Sequence, residues 1–198
     1  MIKLDYINFH RKRWMYLLDL LDEYLEPHFS ILDIGRSPLT ALIYQRGYKN
    51  LTTLGFPISK THLDKLVKIP NSVPHIEFDL INCKYPEKWV KLPEFDAIIF
   101  AEVLEHLCVA PEYVFSYFRS LLRIGGYLFI QTPNAVSIGK RLKMIMGLHP
   151  YETIRMGDDP GHFREYTKKE LFDYADRAGF EVLMHAYKNY FDLNGLGN

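Results

Sequence analysis

Apolar residues recur along this chain at two alternating spacings, and their order predicts the architecture. In residues 11–25, Trp14, Leu17, Leu18, Leu21 and Leu25 fall at i, i+3, i+4 and i+7 intervals, with Asp19, Asp22 and Glu23 on the other face. This is the pattern of an amphipathic helix, and Pro27 ends it. Residues 30–34 form a short apolar run that reads as a strand. Residues 39–45 predict a helix stopped by Gly47, and residues 51–56 a second strand that exits at Pro57. A short helix is expected over 61–67, then a third strand over 76–80. "FDAIIFA", Phe95–Ala101, is almost uninterruptedly apolar, as a parallel strand buried on both faces must be. Residues 111–122 carry Val114, Phe115, Phe118, Leu121 and Leu122 at helical spacing up to Gly125 and Gly126, and residues 127–132 follow as a strand. A helix is expected over 137–146, with an apolar side (Ile138, Leu142, Ile145, Met146) and a basic side (Lys140, Arg141, Lys143). Thr167 and Glu170 form a capping box that opens another helix, which Gly179 closes. The alternation at 180–187 predicts a last strand.

Strands alternating with helices give an α/β class: a Rossmann-like three-layer sandwich with a mostly parallel central sheet. The expected organisation is one domain over 1–198, with the N-terminal helix (11–25) and a lid or insertion around 135–162. Within it, 147–161 is the least regular stretch and the best candidate for a binding loop.

Composition narrows the function classes. Of 198 residues, 48% are hydrophobic and 15% aromatic, enough for a packed core. The formal net charge is zero, which argues against a general nucleic-acid binder. Two cysteines, Cys83 and Cys108, cannot build a disulfide framework. No apolar run reaches the ~18 residues of a membrane span, and the N-terminus lacks the apolar core of a signal peptide. These features predict a cytoplasmic, soluble protein and leave its oligomeric state open.

Four segments in order, "ILDIG", "FDAIIFAEVLEHL", "LLRIGGYLFIQTPN" and "HFREYTKKELFDYADRAGF", resemble the class I S-adenosylmethionine-dependent methyltransferases, over roughly residues 30–182. The resemblance implies S-adenosylmethionine as cofactor, bound beyond the C-terminal ends of the strands. On this correspondence Asp33, Gly35, Arg36 and Ser37 form the loop under the cofactor's amino-acid part. Phe56 stands at the end of strand two, Asp79 and Leu80 lie beside the adenine, and Ala101 and Glu102 wall the methionine moiety. Two positions depart from the family pattern. Ser37 and Leu39 replace glycines, and Pro57 stands where an acid would hold the ribose.

Methyl transfer from a sulfonium to a hydroxyl needs alignment and a proton acceptor. His106 is the candidate base, against the alternative of a histidine satisfied by backbone. His162 and Arg164 are candidate substrate contacts: Arg164 for an anionic group, unless it is simply a surface arginine. Glu102, Glu105, His106 and His162 also resemble the metal set of the small-RNA 2'-O-methyltransferases, and such oxygen-rich ligands suit Mg, Mn or Fe. The same "EVLEH" string resembles metal-free enzymes acting on quinone precursors and sugars, so the leading reading assigns no metal. That reading is methyl transfer to O or N of a small molecule, possibly a sugar or glycolipid precursor. The alternative is a non-catalytic scaffold with a decayed cofactor site. The helix over 137–146 is expected to be a cover buried on one side, with a substrate-entry or membrane-surface element as the other possibility.

Overall fold

The computed structural model describes residues 2–60, 67–157 and 161–190. Five strands, β1 (Ile31–Ile34), β2 (Leu51–Gly55), β3 (His75–Glu77), β4 (Phe95–Ala101) and β5 (Leu122–Gln131), make one sheet. Their order is β3-β2-β1-β4-β5 and every pairing is parallel. Among the described residues five α-helices accompany them: α1 (Ile2–Tyr24), α2 (Pro38–Arg46), α3 (Pro111–Leu121), α4 (Ile138–Ile145) and α5 (Lys168–Arg177). The expected short helix at 61–67 falls almost wholly outside the described residues.

The strand pleat sends alternate residues to opposite faces, and each face has its own core. Leu32, Ile34, Ile98 and Phe100 join Phe115, Phe118 and Leu121 of α3 on one side. Ile31, Ala97 and Ile99 join Trp14, Leu17 and Leu21 of α1 and Leu39 and Ile43 of α2 on the other. The apolar stripe read from residues 11–25 is therefore the buried face of α1, although the helix begins earlier than the stripe does.

Two expectations are corrected. Residues 180–187 form no strand. Strand pattern records a fit to a pleated surface rather than a backbone preference. Here the side chains dock elsewhere: Phe180 packs 6.4 Å from Phe115, and His185 meets Phe172 of α5 at 5.6 Å. Val182 and Leu183 remain 40% and 61% exposed. Nor is α4 a buried cover, since none of its residues is buried.

Candidate active site

Strand order reverses between β1 and β4, which leaves a crevice beyond their C-terminal ends. β1 delivers Asp33 and Gly35 to this edge, and β4 delivers Ala101 and Glu102. Gly35 has φ 84°, and a Cβ there would sit 3.2 Å from Val103 Cγ2, so the loop needs glycine for its turn and for space.

The residues that follow, Arg36-Ser37-Pro38-Leu39-Thr40, build a helix start in place of a glycine-rich loop. Ser37 is the N-cap of α2: its Oγ accepts from Leu39 N, while Thr40 Oγ1 accepts from Ser37 N. Pro38 occupies the first helical turn, where a missing N–H is harmless, and Leu39 is buried in the core. Thr40 Oγ1 also donates to Asp33 Oδ2 at 2.6 Å. Burial pushes the Asp33 carboxyl up to about 7, partly offset by Thr40 and Arg36. Arg36 itself reaches the Val73 carbonyl at 3.4 Å.

The β2 and β3 ends carry the other expected cofactor residues. Phe56 is 54% exposed and its carbonyl meets His75 Nε2 at 2.8 Å. Asp79 caps a 3-10 turn over Leu80–Lys84 by accepting from Ile81 N, while the Leu80 side chain belongs to the core.

A cluster of titratable groups lies just beyond β4. Glu102 is the one non-glycine residue with positive φ (55°) among those described, a conformation costing about 1–3 kcal/mol that surrounding contacts must hold. Its amide donates to the Gln131 carbonyl and its carboxylate receives Arg13 Nη1 of α1 at 2.6 Å. Glu105 is fully buried in a 3-10 turn. Its Oε2 accepts from Thr132 Oγ1 at 3.0 Å, whereas its Oε1 is buried without any hydrogen bond. Burial, then the neighbouring Glu102 charge, push the Glu105 carboxyl up to about 8.

The His106 and His162 rings meet edge to face at 4.9 Å beside this carboxylate. His106 Nδ1 lies 2.9 Å from the Gly161 carbonyl, which only an N–H can satisfy, so the basic lone pair is on Nε2. His162 Nδ1 lies 3.1 Å from Glu165 Oε1 and its Nε2 lies 4.0 Å from Glu105 Oε1. The Glu165 hydrogen bond raises the His162 pKa against the opposing effect of burial. Glu165, 5% exposed, is paired in turn with Lys140 of α4. One oxygen or nitrogen from each of Glu105, His106 and His162 lies within 4.8 Å of the other two.

The structure thus brings Asp33, Gly35, Ala101 and Glu102 to one edge and joins His106 to His162. The Arg164 guanidinium is exposed and engaged with Glu170 at the start of α5. Sequence reasoning missed Arg13, Thr132, Lys140 and Glu165. Arg13 is 89 residues from Glu102, and no local pattern marks such a pair. At the opposite sheet edge a depression of about 560 Å3 includes Asp96. Its carboxylate already takes hydrogen bonds from Ser30 and an ion pair from Arg123.

The methyltransferase-domain family model matches residues 6–185. No curated protein matches the chain significantly in sequence. Among solved structures, a SAM-dependent methyltransferase from Archaeoglobus fulgidus is 15% identical with a TM-score of 0.59, over 96% of this chain and 87% of that one. Magnesium protoporphyrin IX methyltransferase from Synechocystis PCC 6803, with bound SAH, is 15% identical with a TM-score of 0.60, over 89% and 75%. The N-methyltransferase NodS from Bradyrhizobium japonicum WM9 is 20% identical with a TM-score of 0.50, over 71% and 74%. At these identities the likeness is one of fold.

Proposed function

Because the chain belongs to the class I S-adenosylmethionine-dependent methyltransferases, we propose that its site moves a methyl group from that cofactor to an oxygen or nitrogen of a small molecule. The observation that carries this reading is the pairing of His106 with His162 at the end of β4, on the sheet edge that also holds the Gly35 turn. Gly35 would pass under the cofactor's amino-acid part, Asp79 and Leu80 would hold its adenine, and Ala101 and Glu102 would wall its methionine end. Methyl transfer is then a displacement at the sulfonium carbon. The acceptor's lone pair forms the new bond to carbon, the carbon–sulfur bond breaks, and the acceptor's proton passes to His106 Nε2. The hydrogen bond to Gly161 fixes the tautomer this requires.

In this reading Ser37 and Leu39 leave the cofactor site intact. Ser37 is spent on the α2 cap and Leu39 faces the core, so neither side chain intrudes on the Gly35 turn. Pro57 still offers no hydrogen bond to a ribose, which lowers affinity by about 1.5–3 kcal/mol relative to an acid there. The scaffold alternative would be favoured if calorimetry detected no S-adenosylhomocysteine binding at millimolar ligand. Expected instead is binding that Gly35→Val abolishes. His106→Ala should keep that binding and lose turnover by ~10²–10⁴-fold; full activity in this variant would remove His106 from the mechanism. Labelled-cofactor screening against cell extract identifies the acceptor.

A second reading is favoured by one atom, the buried Glu105 Oε1 that no hydrogen bond reaches. Both imidazoles turn their Nδ1 atoms to acceptors behind them, as metal-bound histidines commonly do. Glu105, His106 and His162 would hold a divalent cation such as Mg, Mn or Fe. Bound there, the cation would lower the pKa of an acceptor hydroxyl and fix its position. The expected outcome is one Mn2+ retained in equilibrium dialysis by the purified protein and none by Glu105→Gln. Equal retention by both would end this reading.

A further inference from the structure

Helix α4 turns a charged side toward the body of the protein and its apolar side away from it. Lys140 donates to the Asn134 carbonyl at 3.1 Å and pairs with the buried Glu165, so its flank faces inward. Successive helical residues are about 100° apart, and residues two positions from Lys140 therefore point nearly the opposite way. These are Ile138 and Leu142, which are 79% and 53% exposed; Ile145 and Met146 extend the stripe at 81% and 65%. A helix packed on a globular protein shows the reverse orientation. The exposed apolar surface continues beyond α4 through Leu148, Ile154 and Met156.

Charge indicates what covers this surface. Residues 136–156 contain Lys140, Arg141, Lys143 and Arg155 against one acid, Glu152, which pairs with Arg155 at 3.5 Å. Glu165 neutralises Lys140, which leaves Arg141 and Lys143 as the cations bordering the apolar stripe. A second copy of the chain would set these cations against their own kind. A nucleic acid would use the cations and leave the aliphatic stripe wet.

We propose that residues 136–156 dock on the surface of an anionic lipid bilayer. Helix α4 lies in the headgroup plane, its apolar stripe reaches the acyl boundary, and Arg141 and Lys143 meet lipid phosphates. Membrane binding of this kind is independent of the reaction the site performs.

Co-sedimentation with vesicles tests it. Wild type should pellet with phosphatidylcholine vesicles containing phosphatidylglycerol and stay in solution with phosphatidylcholine alone. Leu142→Ser with Ile145→Ser should weaken binding about tenfold or more, and Arg141→Gln with Lys143→Gln should do the same and remove its salt dependence. Arg141, Leu142 and Ile145 are exposed and Lys143 is half-buried, so both pairs should melt close to wild type, which separates lost docking from lost folding. Wild type remaining in solution with the anionic vesicles would overturn the proposal, as would undiminished binding by the Leu142→Ser, Ile145→Ser protein. So would a wild-type dimer in sedimentation velocity that this variant abolishes, since the face would then join two copies.

Discussion

Asp33 is a carboxyl that folding makes harder to ionise. Its pKa rises from 3.8 in the open chain to about 7 in the fold, chiefly through burial. Between those values the folded state keeps a proton that the unfolded chain has given up. Its share of stability is therefore complete near pH 4 and is lost as pH climbs towards 7. Glu105 and His162, both raised, add slopes of the same sign. The melting temperature should consequently fall between about pH 5 and pH 8, and Asp33→Asn should flatten part of that fall. An unchanged slope in Asp33→Asn would mean that Asp33 ionises normally. The presence of an acid before Gly35 was legible in the sequence. Its altered acidity was not, because that depends on how completely α2 and its cap cover it.

Among elements, the start of α2 shows how a local rule can replace a family's glycines. Ser37, Pro38 and Thr40 satisfy a helix N-terminus with groups three residues apart, a cap signal present in the sequence although Ser37 reads there only as a replaced glycine. The cap predicts an order of effects in chemical denaturation. Ser37→Gly should cost a few tenths of a kcal/mol and Ser37→Ala about 1 kcal/mol. Thr40→Val should cost more, about 1–3 kcal/mol, because it removes the Ser37 contact and the hydrogen bond to buried Asp33 together. Equal losses for all three would mean that the cap contributes nothing. β4, by contrast, was legible directly: a strand buried on both faces leaves an unbroken apolar run. Periodicity in residues 137–146 identified a helix and both its faces, but not which face turns inward. That orientation is set by Lys140 meeting Glu165 from 25 residues away.

Across the whole molecule, the site depends on a clasp between distant parts of the chain. The amides of Phe163 and Arg164 both donate to the carbonyl of Glu105, at 2.8 and 3.3 Å. His162 and Glu165 are held against β4 by these bonds and by the adjoining bridge between Asn134 and Tyr166. Sequence reading proposed both histidines but could not foresee the clasp, which joins backbone groups and leaves no mark in side-chain pattern. The sheet, by contrast, is stabilised by two cores to which this segment contributes little beyond Tyr166. The site and the scaffold should therefore have different cooperativity. In a denaturant titration, exchange protection at the Phe163 and Arg164 amides should vanish before fluorescence from Trp14 and Trp89 reports loss of the body. Coincident transitions would make the clasp part of the global unit. If the transitions separate, the protein passes through a state in which its architecture survives and its paired histidines have come apart. Mild stress would then silence the site reversibly, without unfolding the molecule.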